Sequence, residues 1–168
     1  MAKNARDPKK RERKIEMAAL AVPRLEEHPF TRDFPAACIE GFVACSASRD
    51  FRKGDYLWRQ GDPAETFYLV FDGEVSLGMT TPNEGLLRIE TLGAGDLLGW
   101  SWILAPYRWH FDAYAVTDVR AVGLNASCLR ERCKMVPELH LELLKRLVPV
   151  IDHRLHMTRR KLLDLYAK

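Results

Sequence analysis

The chain has 168 residues, 47% of them hydrophobic, with 26 Lys/Arg against 23 Asp/Glu. Such a length suits one domain that buries roughly 70% of its unfolded surface and needs no disulfide or metal to hold it. The longest uncharged apolar run, Met17–Pro23, falls far short of the ~18 residues of a membrane span and precedes no cleavage signature, so the expected location is the cytoplasm.

Charge divides the chain into a lead, residues 1–23, and a body, residues 24–168. Residues 1–16 hold seven Lys/Arg and three Asp/Glu, leaving 19 basic and 20 acidic groups in the rest. A neutral body behind a basic lead lacks the spread positive face of a dedicated nucleic-acid binder, so direct DNA binding is not expected. The lead is read as solvated and partly disordered. Cys38, Cys45, Cys128 and Cys133 form no CxxC pair and have no histidine at zinc-finger spacing, so they are expected as free thiols behaving as small buried hydrophobes.

In Pro35–Cys45 apolar residues recur at helical intervals, which predicts a short helix. From Phe51 onward, turn signals arrive in quick succession: Gly54-Asp55, Gly61-Asp62-Pro63, Asp72-Gly73, Pro82–Gly85 and Gly93–Asp96. Between them lie runs rich in aromatic and branched residues: Tyr56–Trp58, Thr66–Phe71, Val75–Met79, Leu86–Leu92, Phe111–Val116 and Ala121–Leu124. Short strands at this spacing predict a sandwich or barrel. Asn125-Ala126-Ser127 then offers a cap for a helix reaching Met135, and Pro137 suits the first turn of a longer one over 137–166. Leu144, Leu147/Val148, Ile151, Leu155, Thr158, Leu162 and Leu165/Tyr166 form one stripe on that helix, which Pro149 is expected to kink. The stripe either lies on the barrel or pairs with a twin helix; its reach almost to the chain end favours a homodimer. The class is α+β, mainly β, with helices segregated to one end.

No nucleophile elbow, phosphate loop or paired-carboxylate motif is present. A jelly-roll metal enzyme would need several histidines inside the barrel, and of His28, His110, His140, His153 and His156 only His110 falls there. No enzymatic activity and no metal site are expected.

Phe51-x-x-Gly54-Asp55-x-Leu57, Gly61-Asp62, Phe67–Val70, Gly73-x-Val75 and Gly95-Asp96-x-x-Gly99 together resemble the cyclic nucleotide-binding domain. That is the sensor module of catabolite-activator-type regulators, kinase regulatory subunits and gated channels. The resemblance covers about residues 28–166. It implies a jelly-roll (double-stranded β-helix) barrel flanked by helices and ending in a long C-terminal dimerisation helix. It also places a phosphate-binding cassette at Gly99–Arg108, with cAMP or cGMP as the family's ligands.

In that cassette Gly99 would admit the ligand to the backbone, Ser101 and Trp102 begin a one-turn helix, and Arg108 stands where the family neutralises the cyclic phosphate. Trp100 occupies the place of a glutamate that accepts the ribose hydroxyl. Loss of such a charge-assisted hydrogen bond costs ~1.5–3 kcal/mol, which argues against the usual pose. Arg154 matches a position that pairs with that glutamate in some relatives, and here needs another partner. Thr158 aligns with a helix hydroxyl that reaches the base across the dimer.

Trp100, Trp102, Tyr107, Trp109, His110 and Phe111 form an aromatic cluster that either fills the barrel or stacks on a planar anionic ligand. Haem held by His110 or a cysteine is a thinner variant, with no attachment motif. The expected function is a regulatory sensor domain for a nucleotide-like or anionic ligand, signalling through its C-terminal helix to a separate effector protein. A degenerate dimeric scaffold and an atypical transcription regulator are the alternatives. The last is weakened because the chain stops at Lys168 without a helix-turn-helix.

Overall fold

The structure, a computed structural model, describes residues 25–81 and 85–166, so the basic lead and the tip at 82–84 lie outside the described residues. Eight strands follow a short helix: α1 (Ala36–Ala44), β1 (Ser46–Phe51), β2 (Tyr56–Trp58), β3 (Thr66–Asp72), β4 (Val75–Thr81), β5 (Gly85–Leu92), β6 (Leu97–Leu98), β7 (Asp112–Ala115) and β8 (Val119–Asn125). A 3₁₀ turn, Ser101–Ile103, separates β6 from β7, and α2 (Ala126–Met135) and α3 (Pro137–Tyr166) close the chain.

Two four-stranded sheets result, in the orders β1-β8-β3-β6 and β2-β7-β4-β5, antiparallel throughout. The pairings β1·β8, β2·β7, β3·β6 and β4·β5 show the chain doubled back on itself as one long hairpin and rolled up. This is the jelly roll, and the class is mainly β with a long C-terminal helix. Six of the eight strands match expected runs within a few residues. The other two, β1 and β6, were not expected: β1 (Ser-Ala-Ser-Arg-Asp-Phe) carries no apolar alternation, and β6 has only two residues. Strand β1 forms because β8 offers it six successive partners, from Ser46↔Leu124 to Phe51↔Val119. Its exposed Arg49 and Asp50 suit a sheet edge, where charge discourages further pairing.

Strand β3 is buried on both faces, and its consecutive residues Phe67 and Tyr68 point to opposite sides. On one side the rings run Phe34–Phe42–Phe67–Trp102, with Phe67 and Trp102 stacked at 4.9 Å. On the other, Trp109 stacks on Trp58 at 4.0 Å and Trp58 on Tyr68 at 5.9 Å. Trp102 thus packs directly on one face of β3, and Trp109 reaches the other through Trp58 of β2.

The expected helix ends hold. The Asn125 side chain accepts the Cys128 amide at 2.8 Å, and Pro137 opens α3. Helix α3 continues through Pro149. Its buried stripe is Leu139, Leu143 and Leu147, packed on α1, where Leu139 Cδ2 lies 3.1 Å from the place of a Cβ on Gly41. Of the expected stripe Leu147 belongs to this buried face, whereas Leu144, Val148, Leu155 and Leu162 are exposed.

The cysteines correct the expectation of four free thiols. Cys45 and Cys128 form a disulfide, and only Cys38 and Cys133 are free. The end of α1 and the first turn of α2 converge across 83 residues of chain with their Cα atoms 5.6 Å apart, which no sequence spacing announces. Among the described residues no helix is long and apolar enough to cross a membrane, and no cluster of His, Cys, Asp and Glu could hold a metal ion.

Candidate ligand-binding site

Between the β6–β7 segment, β5 and the middle of α3 lies a cavity of about 300 Å³. Gly99, Trp100 and Ser101 line it from the cassette, Trp109 and His110 from the two residues that follow it, and Thr158 from α3, so six of the eight expected site residues meet there. Trp102 and Arg108 do not line it.

Gly99 has φ +87°, and a Cβ there would lie 2.5 Å from Trp109 Cη2. The open space beside this glycine is therefore taken by an indole of the protein itself, where the family resemblance implies a ligand. Ser101 Oγ and His110 Nδ1 share a hydrogen bond at 3.1 Å. Trp102, 1% exposed, belongs to the core, its backbone oxygen accepting from Arg130 Nη1 at 2.8 Å.

Arg108 faces away for a geometric reason. Arg108 forms an isolated antiparallel bridge with Pro63, flanked by Trp109 N–H to Asp62 O at 3.0 Å and Ala64 N–H to Tyr107 O at 2.7 Å. Across such a bridge neighbouring side chains alternate, so with Trp109 turned into the core its neighbour points outward. Arg108 Nη1 donates to Gly61 O at 2.7 Å and borders a small separate recess of about 230 Å³ with Tyr107 and Arg130.

The cation of the cavity wall is Arg154, which the eight expected residues omit. Its Nη2 donates to Leu97 O, its Nε lies 3.6 Å from Glu90 Oε1, and its guanidinium sits 4.8 Å above the Trp100 ring. Burial pulls its pKa down, while Glu90 and Asp96 push it up. The sequence signal was its apparent need of a partner once Trp100 replaced the cassette carboxylate. The partners are Glu90 from β5 and the indole of Trp100 itself. The remaining wall is apolar: Trp58, Leu77, Ile89, Phe111, Ile151 and Leu155. These come from five separate segments, and nothing in their local sequence marks them as a set.

Arg154 also borders a larger recess of about 710 Å³ that carries Lys145, Arg146, His153 and Lys161. Three of its cations are already engaged: Lys145 with Glu142, Arg146 with the Phe30 and Arg32 carbonyls, and Lys161 with Ile89 O.

Comparison with known proteins agrees with this architecture. The family profile described as "Cyclic nucleotide-binding domain" matches residues 48–135. A CRP-like cAMP-activated global transcriptional regulator of Mycobacterium tuberculosis is 32% identical over 118 residues, covering 69% of this chain and 50% of that protein. The chain thus spans about half the length of this relative. Among solved structures, a cyclic nucleotide-binding domain from Methylobacillus flagellatus superposes with a TM-score of 0.76 at 20% identity, over 88% of this chain and 85% of that one. The sensor domain of the transcriptional regulator DNR from Pseudomonas aeruginosa does so with 0.66 at 20% identity, over 84% and 95%. At these identities the two structures speak for the fold alone.

Proposed function

The chain belongs to the cyclic nucleotide-binding domain family, and we propose that it serves as a regulatory sensor domain for a small anionic ligand, with no catalytic role. One observation carries this reading: the cavity is walled jointly by the cassette and by Ile151, Arg154, Leu155 and Thr158 of α3. A ligand there touches barrel and helix together, so its differential affinity shifts the population of helix orientations, and α3 passes that shift to an effector protein. Cyclic nucleotides are the family's precedent, and Gly99, Trp100, Ser101, Trp109, His110 and Thr158 are the proposed contacts. Arg108 and Trp102 act in this proposal only by holding the cassette in place.

The outward seam of α3, with Leu162 and Tyr166 exposed, is the surface through which two copies pair. Sedimentation at the monomer mass at micromolar concentration would overturn the pairing. The reading places the protein in the cytoplasm, off the membrane and off DNA.

The test is a thermal shift with cAMP, cGMP and planar aromatic carboxylates, on the native chain and on Leu155→Trp, whose indole fills the cavity. A gain in Tm with one of these ligands, lost in the variant, supports the sensor. The second reading, a dimeric scaffold without a ligand, is favoured by the Trp109 indole against Gly99. It prevails if none of the panel shifts the native chain.

A further inference from the structure

We propose that the Cys45–Cys128 disulfide is a reversible redox latch, opened by a low-molecular-weight thiol, that sets how firmly α2 and α3 are held against α1. The proposal rests on the sensor reading above and deepens it by naming a regulation of the same cavity.

The bridge stands where three helices meet. Cys45 directly follows α1, and Cys128 lies in the first turn of α2, its amide capped by Asn125. Only Val136 separates α2 from α3, so the two form one helix pair. That pair touches the cavity from both sides. Arg130 of α2 donates to Trp102 O at 2.8 Å and lies 4.5 Å over the Tyr107 ring, which fastens α2 to the cassette turn. Ile151, Arg154, Leu155 and Thr158 of α3 supply the facing wall. Helix α3 in turn lies on α1, where Leu139 fits against Gly41.

Among the described residues no hydrogen bond or ion pair joins α1 to α2. Beside the disulfide there is one backbone bond at the foot of both helices, from Asn125 N–H to Cys45 O at 2.9 Å. With the covalent bond cut, that foot persists as a pivot and apolar packing alone keeps the pair on α1. The closed latch thus narrows the range of helix orientations among which a ligand selects, and the open latch widens it.

In the cytoplasm, where the reading above places the chain, disulfides that form are mostly transient. Cys128 is half-buried and Cys45 buried, so a small thiolate attacks from the Cys128 side. It bonds to Cys128 Sγ, the bridge breaks, and Cys45 leaves as a thiolate and takes up a proton. A second small thiolate bonds to the outer sulfur of the mixed disulfide and releases Cys128, whose thiolate the first turn of α2 stabilises until it too is protonated. Two small thiols become one small disulfide, and the protein gains two electrons and two protons. Cys38 and Cys133 stay out of this exchange, because burial pushes both thiols up and leaves little thiolate.

The test equilibrates the intact, folded chain in reduced or oxidised glutathione, identifies thiols by alkylation after acid quenching, and maps amide hydrogen exchange. In the oxidised form only Cys38 and Cys133 are expected to take the label. Reduction should add Cys45 and Cys128 without unfolding, and reoxidation should remove them. Opening is expected to speed exchange at least about tenfold in Ser101–Ile103 and in α3 from Leu139 to Arg154, and to leave the β3–β8 and β4–β7 ladders unchanged. Cys45→Ser combined with Cys128→Ser should show the open pattern under both conditions. Should that variant fail to fold, the two redox forms of the native chain still decide. A bond that glutathione cuts only as the barrel unfolds, or exchange that rises everywhere or nowhere, makes the bridge a brace and overturns the latch. Both redox forms then receive the panel of cAMP, cGMP and planar aromatic carboxylates. A several-fold difference in affinity between the forms ties the latch to the cavity. Equal binding overturns the regulation and leaves the sensor reading standing. If no member binds either form, the sensor reading falls, while hydrogen exchange still judges the latch.

Discussion

The two halves of α3 are built for different tasks. From Leu139 to Arg154 the helix buries one face: Leu139, Leu143 and Leu147 are each at most 1% exposed, and Arg154 closes the row at 7%. From Leu155 on, every described side chain is exposed, including Leu162 at 52% and Tyr166 at 83%. Both halves carry apolar residues at helical spacing, so periodicity alone does not separate anchor from outward seam. The difference is the surface beneath. The first half lies on α1, whose Gly41 admits Leu139, whereas the second runs past β5, held there by Lys161 Nζ donating to Ile89 O at 2.9 Å. The cavity sits where one regime gives way to the other.

The contrast can be broken most forcefully at its anchor. Leu143→Ala leaves a cavity between α3 and α1 and is expected to cost about 2–5 kcal/mol, read from the urea midpoint. A cost below about 1 kcal/mol would mean that the first half is not locked down.

Next in size is the disulfide that ties α1, the floor of the anchor, to α2. Replacing Cys45 and Cys128 by Ala together is expected to cost about 2–4 kcal/mol, given the long loop it closes, or roughly 5–15 °C in Tm. Thiol reductant should lower the Tm of the native chain similarly and leave the double variant unmoved.

A third measurement uses pH. His28 is buried below the anchor, its Nε2 donating to Val70 O and its Nδ1 accepting the Phe30 amide, both at 3.1 Å, while the Phe30 carbonyl receives Arg146 of α3. Burial holds its folded-state pKa below the ordinary 6.5, against the opposing pull of the Val70 carbonyl and Asp96. As pH falls the unfolded chain takes up the proton first, so this contribution is complete above about pH 6.5 and is lost on acidification below it. The slope is at most one proton's worth, about 1.4 kcal/mol per pH unit. His28→Gln should flatten the stability profile in that window, and an unchanged slope would remove His28 from the account.

The smallest effect is expected at the outward seam. Leu162→Ala should change monomer stability by no more than about 0.5 kcal/mol, since little is buried there. If it destabilises as much as Leu143→Ala, the second half is covered in solution, and concentration dependence of Tm would show a second copy doing so.

Much of this architecture was legible from local signals. Gly and Asp turns, aromatic runs and the Asn125 cap report on their own neighbourhoods, because φ > 0, alternation and N-capping are settled within a few residues. The family resemblance and the aromatic cluster pointed to six cavity residues, five of them at Gly99–His110 and the sixth, Thr158, on α3. Arg108 and Arg154 show where local reading stops. Arg108 matches the family's position, yet its backbone pairing with residues 61–64 turns it outward. Arg154, some fifty residues away from the cassette, supplies the buried cation.

The sequence by itself determined the number of expected strands save two, the helix ends, the family, and the departure of Trp100 from that family's pattern. Tertiary structure alone decided the edge strand β1, the Cys45–Cys128 bridge, which leucines of α3 are buried, and which arginine reaches the cavity. Each of these depends on what a distant segment presents. A strand as polar as β1 needs the ladder of β8, a disulfide needs two Cα atoms brought 5.6 Å apart, and a buried guanidinium needs the Leu97 carbonyl and Glu90 waiting for it.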